Sequence, residues 1–182
     1  MKNLIFVILS ASIFSALFFQ DVFSQEITEE LSVKVLKLID PMAGEEMFTT
    51  TRNIVVINES ETSAFTLNAY LDQEDLTMTN LVVDIVNIGN CNEDDELIIL
   101  LEEGERIIKK SWNGFTCDDV SYFRVTESDR NLLKESPISR IRFTNGRTFD
   151  SLTGDIEPRN KNYFIDLFYS IENEIFEEDV IE

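Results

Sequence analysis

The side chains in this sequence that could do chemistry are two cysteines, a set of arginines, several acidic clusters and one tryptophan. Cys117 lies in "SWNGFTCDD" (Ser111 to Asp119), and Cys91 is its only companion. A catalytic thiol needs a histidine or another cation beside it to lower its pKa, and the chain contains no histidine. Zinc takes four ligands, and two thiols without imidazole rarely suffice. An even pair at element ends, on either side of one hairpin, is instead the pattern of a disulfide. Closing a loop of about 26 residues stabilises a fold by about 3.5 kcal/mol in the chain-entropy picture.

The missing histidine also removes the serine and cysteine triads, imidazole metal sites and the commonest general base. No G-x-S-x-G, phosphate loop or G-x-G-x-x-G occurs among the 6 glycines. Two carboxylates could still hydrolyse a glycosidic bond. With 35 acids, however, such pairs arise by chance, and none sits in an apolar run that would raise its pKa. "NEDDE" (Asn92 to Glu96), "DQED" (Asp72 to Asp75) and Asp118-Asp119 cluster hard oxygen ligands for calcium. None has the spacing of an EF-hand loop, and a solvated acidic turn is the simpler reading. No metal site or cofactor is expected.

Arg124, Arg140, Arg142 and Arg147 are the cationic candidates. Arg140 and Arg142 share one strand face and Arg147 lies at its turn, so converging guanidiniums could hold a carboxylate or a sulfated glycan. The plainer role is neutralisation of an acidic surface, through pairs such as Arg142 with Asp150. Trp112 and Phe115 offer an aromatic platform or, more economically, a plug under a hairpin.

The formal charge is −20 on 182 residues, which repels nucleic acid and anionic lipid. From Gln25 to Glu105 there are 3 basic and 19 acidic residues; from Arg106 to Lys161 there are 11 and 8; beyond Asn162 there are 7 acids and no base. A basic middle between acidic flanks implies internal charge pairing. At the front, Lys2 precedes an uncharged run from Leu4 to Phe19, and Val22 and Ser24 stand at the −3 and −1 positions of a small-residue cleavage site. This reads as a signal peptide, residues 1–24, cut between Ser24 and Gln25. The run is shorter than the roughly 20 residues that span a bilayer, and no later stretch is apolar enough to do so. The expectation is an exported protein, periplasmic or extracellular.

The elements that must position these groups follow from periodicity. "SVKVLKLID" leans to strand; "RNIVVI" and "SAFTLNAYL" flank the polar "NESET" as a hairpin; Leu76 to Gly89 is a longer strand with a bend. "DELIILL" is apolar on both faces, as a covered central strand would be, and the turn at Glu103-Gly104 leads to "RIIKKSW". Thr126 can cap a short helix with Asp129 as its capping-box partner, burying Leu132 and Leu133. Asn160 can cap a last helix whose Phe164, Leu167, Phe168, Ile171 and Ile175 form an apolar stripe. Phase places a three-residue turn at Asn145 to Arg147, with Phe143 opposite Phe149 and Arg142 opposite Asp150.

A cysteine at a strand end, an acidic hairpin with a Gly turn, "WNGFTC" followed by "SYF", a short capped helix and "ISRIRFTNG" together resemble small exported proteins of Bacteroidetes. The likeness runs from about Asp40 to Phe168 and is most specific from Cys91 to Gly146. It implies an organism class and an architecture, but no mechanism. "DSL" at Ser151 is similar to an O-glycosylation acceptor of that group, and "NES" at Asn58 fits an N-glycosylation acceptor.

The sequence thus predicts an α+β fold: a mostly antiparallel sheet, sandwich-like or curved, carrying a short helix and a C-terminal amphipathic helix. Residues 25–176 form one domain and 177–182 an acidic tail. The function expected is an exported, non-enzymatic binding module whose partner is a protein or a glycan. A carboxylate-based hydrolase and a calcium-dependent surface protein are the alternatives.

Overall fold

The computed structural model describes residues 33–39 and 46–180. The signal segment with its cut at Ser24-Gln25 lies outside them. Alternating apolar residues make the first sheet. β3 (Ile54–Ile57) and β4 (Ala64–Leu71) form the expected hairpin, and β5 (Met78–Val86) and β8 (Val120–Arg124) extend it in the order β3-β4-β5-β8. The β4–β5 register shifts between Tyr70 and Leu71, where Asn80 and then Met78 are their partners.

A second antiparallel sheet has the order β10-β9-β6-β7, from β6 (Glu96–Leu101), β7 (Arg106–Lys110), β9 (Ile138–Thr144) and β10 (Ser151–Asp155). Gly104, at φ +97°, makes the β6–β7 turn as expected. The two sheets share one core. Phe143 of β9 packs against Phe65 of β4 and Phe123 of β8, with ring centroids 5.9 and 6.4 Å away. Gly154 of β10 lies so close to Val56 of β3 that an added Cβ would come within 2.5 Å of it. At the opposite edge, the chain leaving β7 donates from Trp112 N–H to the Tyr122 carbonyl of β8.

A smaller sheet joins the ends of the described chain. β1 (Val35–Ile39) runs antiparallel to β2 (Glu46–Thr50) and parallel to β11 (Phe176–Val180). The tail expected from residue 177 therefore begins as a strand. Phe176 packs edge-on against Phe48 at 5.9 Å and Lys34 pairs with Glu177 at 2.8 Å, so ring contact and charge pairing anchor an acidic segment that composition marked as tail.

The helices are α1 (Glu127–Glu135) and α2 (Tyr163–Glu172). Thr126 and Asp129 form the expected capping box, and Leu133 is buried. Phe164, Leu167 and Phe168 of α2 enter the core. α2 is shorter than expected. Asn160 sits in a preceding 3-10 turn (Pro158–Asn160), and Ile175 falls beyond the helix in the link to β11.

Two expectations are overturned. β6 is not covered on both faces: Leu97, Ile99 and Leu101 are buried, whereas Ile98 and Leu100 face outward and are half-buried. The β9–β10 turn is also longer than three residues. It spans 145–150, placing Phe143 opposite Leu152 and Arg142 opposite Thr153, and leaving Phe149 79% exposed at φ +61°. The reason is Asn145, which is fully buried. Its Oδ1 accepts from the Arg147 and Thr148 N–H groups, and its own N–H donates to the Asp150 carbonyl. This wraps the turn around a buried amide instead of around an aromatic pair.

Candidate binding site

The acidic loop before β6 is held by a buried carboxylate. Asp95, 0% exposed, accepts from Gly146 N–H at 2.8 Å on Oδ1, and from Asn92 Nδ2 at 2.7 Å and the Ser121 hydroxyl on Oδ2. Its N–H donates to Ser111 Oγ at 2.9 Å, and its carbonyl accepts from Ser111 N–H. A charge taken out of water is tolerable only when hydrogen bonds saturate it, and here every donor comes from a different segment. Gly146 has no room for a side chain: a Cβ there would stand 2.1 Å from the Glu93 carbonyl oxygen. Asn145 Nδ2 adds a bond to the Cys91 carbonyl at 2.9 Å. The loop considered for calcium thus turns Asp95 inward, and among the described residues no group of three or more acidic or cysteine side chains is placed to hold a metal ion. The sequence carried only a trace of this latch, an Asn three residues ahead of an Asp that opens an apolar run.

Beside the latch, Cys91 and Cys117 are disulfide-bonded, as expected. Asn92 and Thr116, one residue inside the bond, exchange backbone hydrogen bonds of 2.7 and 3.0 Å. The strap therefore ties the end of the β5 segment to the turn before β8. That turn is clamped again where Asn113 Oδ1 accepts from Tyr122 N–H at 3.1 Å and Asn113 Nδ2 donates to the Val120 carbonyl at 3.3 Å.

Trp112 stands on this clamped turn. The plug expected of Trp112 and Phe115 is not formed, because the two side chains are 55% and 56% exposed. They also separate. Phe115 carries the Arg147 guanidinium over its ring at 4.6 Å. Trp112 lies against Tyr122 with centroids 5.7 Å apart, and its indole Nε1 donates to Asn80 Oδ1 at 3.0 Å. Both edges of its orientation are thereby set, and its outer face is left in solvent.

The surface next to it is the outer face of β3-β4-β5-β8. One cross-strand row there is Tyr70, Asn80 and Arg124; the next is Asn68, Val82 and Tyr122. Tyr70 is 50% exposed. It stands two strands from Tyr122, about 10 Å across at ordinary strand spacing. Between them on β5 lie Asn80 and the half-buried Val82, and the next row carries Thr66 and Asp84. Asp84 Oδ2 accepts from Thr66 Oγ1 at 3.1 Å and Asn68 Nδ2 at 3.0 Å, while Asn68 Oδ1 is covered and has no donor among the described residues. Arg124 is exposed and has no side-chain partner among them.

The four expected arginines do not converge. Arg124 belongs to the aromatic face, and Arg147 sits at the β9–β10 turn beside Glu93 at 3.5 Å. Only Arg140 and Arg142 stay together, on the outer face of the second sheet. With Arg106 of β7, which spacing along one strand could not reveal, they rim a shallow depression of about 390 Å³ floored by Ile98 and Leu100. Arg140 is already matched by Asp155 at 2.5 Å and Arg142 by Glu96 at 3.5 Å; the Arg142–Asp150 pair is not made, because Asp150 turns back to Thr148 Oγ1. The hydrogen bond from Arg140 holds the Asp155 carboxyl below its ordinary range, and Asp155 in turn raises the Arg140 guanidinium.

No family model matches this chain, and neither a curated protein nor a solved structure does. No helix among the described residues is long and apolar enough to cross a membrane.

Proposed function

We propose that this chain is an exported, non-catalytic binding module and that it binds through the face carrying Trp112, Tyr122 and Tyr70. One observation carries the reading: a tryptophan more than half exposed, yet fixed by its backbone, its indole N–H and a tyrosine ring packed against it. Leaving a rigid aromatic in water forgoes its burial, which is worth about 2 kcal/mol or more for a large apolar side chain. A loop free to move would fold it down, and this loop is strapped by a disulfide and by the Asp95 latch. Rigid aromatics of this kind give contact area at little entropic expense when a partner arrives. Export is supported by the N-terminal signal pattern and by the disulfide, which persists in oxidising compartments.

Because Trp112 is the only tryptophan, its emission reports on this face alone. Addition of protein, lipid and polysaccharide fractions of the cell envelope should shift that emission to shorter wavelength and shield it from acrylamide quenching in at least one fraction. Undiminished quenching in all of them overturns the proposal.

A further inference from the structure

We infer that the occupant of this face is an uncharged glycan chain, whose pyranose rings lie on Trp112 and Tyr70 while their hydroxyls bond the side chains between. The inference rests on the reading of this face as the binding surface and adds its ligand class. Three features select the ligand.

The first is the alternation of chemistry. A sugar ring has an apolar face of C–H groups and a rim of hydroxyls that both donate and accept. The Trp112 ring, bonded through its indole to Asn80, and the Tyr70 ring, on the strand facing Asn80, offer two exposed apolar platforms. Between and beside them are the Asn80 and Asn68 amides, the Thr66 hydroxyl, the Asp84 carboxylate and the Arg124 guanidinium. A protein partner would favour one contiguous apolar centre ringed by polar groups. Here Asn80 stands between Trp112 and Tyr70, and the Asn68 amide and the Arg124 guanidinium flank them, so each ring has a hydrogen-bonding side chain beside it, as the face and rim of a sugar require.

Charge is the second feature. The chain carries −20 overall, so phosphate chains and anionic lipid surfaces are repelled at long range. The patch itself contains one carboxylate, Asp84, and one guanidinium, Arg124, and is locally balanced. A neutral ligand meets neither penalty.

The third is unsatisfied hydrogen-bonding capacity. Arg124 is exposed, with five N–H groups and no side-chain partner among the described residues. Hydroxyl-rich ligands accept from a guanidinium without needing a negative charge.

The test uses the mature chain with its disulfide intact and a panel of soluble polysaccharides: laminarin, hydroxyethylcellulose, xyloglucan, galactomannan and dextran as neutral probes, with heparin as the anionic control. At least one neutral probe should shield Trp112 from acrylamide and retard the protein in a native gel containing it. Tyr70→Ala should weaken that retardation at least tenfold, and Trp112→Ala should abolish it while leaving the far-UV circular dichroism unchanged. Asn80→Ala, which keeps both rings, should weaken it less than Tyr70→Ala. If heparin or a protein fraction shields Trp112 and no neutral probe does, the glycan inference falls while the binding face stands. If a neutral polysaccharide retards the protein equally after Trp112→Ala and Tyr70→Ala, both fall.

Discussion

The outer faces of the two main sheets carry opposite solutions to the same problem of exposed chemistry. On β10-β9-β6-β7, reactive charge is consumed within the fold: Arg140 meets Asp155, Arg142 meets Glu96, and Lys110 shares Glu96 at 3.8 Å. Beside β3-β4-β5-β8, the rings of Trp112 and Tyr70 stay half in solvent, although Trp112 is held in place by Asn80 and Tyr122. In a chain this acidic, arginines such as Arg140, Arg142 and Arg147 find carboxylates within the fold, so a cluster of arginines is weak evidence of an anion site. Acidity does nothing to satisfy an aromatic ring. An exposed, immobilised aromatic therefore says more about function here than a cationic pair does.

The largest effect on the comparison should come from the latch beneath both faces. Asp95→Ala leaves the Gly146 N–H, the Asn92 amide and the Ser121 hydroxyl without their buried acceptor. Stability should fall by about 3 kcal/mol or more, read from urea unfolding. Both faces should loosen together, with amides of β6, β8 and the 145–150 turn all losing hydrogen-exchange protection. Loss confined to one sheet would break the claim that Asp95 joins them.

Removing the strap should separate the faces. Cys91→Ser with Cys117→Ser should lower stability by about 3.5 kcal/mol, the loop-entropy value for 26 residues. Its local effect should fall on the turn bearing Trp112, so acrylamide quenching of the native emission should change while exchange in β9 and β10 stays as it was. Equal loosening of the arginine face would show that the disulfide braces the whole sandwich.

A smaller effect is expected where a charge pair is half-buried. Lys109 of β7 meets Asp129 of the α1 capping box at 2.6 Å, with both side chains less than one-fifth exposed. Burial raises the Asp129 pKa, but hydrogen bonds from Lys109 and from the Thr126 N–H and hydroxyl outweigh it and hold the carboxyl below its ordinary range. A carboxyl depressed in the folded state stabilises the fold above its unfolded pKa, about 3.8, and that contribution is lost as pH falls through the lower folded value. Asp129→Asn should cost about 1 kcal/mol at neutral pH. Its stability should also vary less than the parent's below about pH 4. Identical acid limbs for the two proteins would assign the acid dependence elsewhere.

What the sequence made legible was what local rules decide. The capping box at Thr126 and Asp129, the Gly104 turn and the β3–β4 hairpin each depend on a few adjacent residues, and the Cys91–Cys117 bond depends on compartment and parity. What escaped depended on partners distant in the chain. Asn145 was read as a hairpin residue because Asn-Gly favours short turns; its buried amide instead reaches Cys91, 54 residues away. That buried side chain, with the Arg147 and Thr148 N–H groups bonded to its Oδ1, lengthened the turn, which moved the register and left Phe149 exposed. The same limit applies to the site. Trp112 was noticed, but Tyr70, Asn80 and Tyr122 come from three other strands, and Arg106 joins Arg140 only through pairing across β6. The acidic segment after Phe176 was read from composition alone, which carries no trace of its parallel pairing with β1.

The smallest effect, and the one that bears most directly on the contrast between faces, concerns the arginine pairs themselves. Arg140 and Asp155 are 53% and 74% exposed, and Arg142 and Glu96 meet only at 3.5 Å. Water competes for each group, and holding two long side chains in one geometry offsets much of the Coulomb gain. Because the Asp155 carboxyl is depressed, the pair's contribution is fully present above the ordinary carboxylate pKa and is lost as pH falls through the lower folded value. The double change Arg140→Gln with Arg142→Gln should therefore move Tm by no more than about 2 °C, and less in 1 M salt. If these arginines only neutralise the acidic surface, the double variant should also bind neutral polysaccharides as the parent does. Lost binding with an unchanged Tm would make the second sheet the ligand face, reversing the contrast drawn between the two.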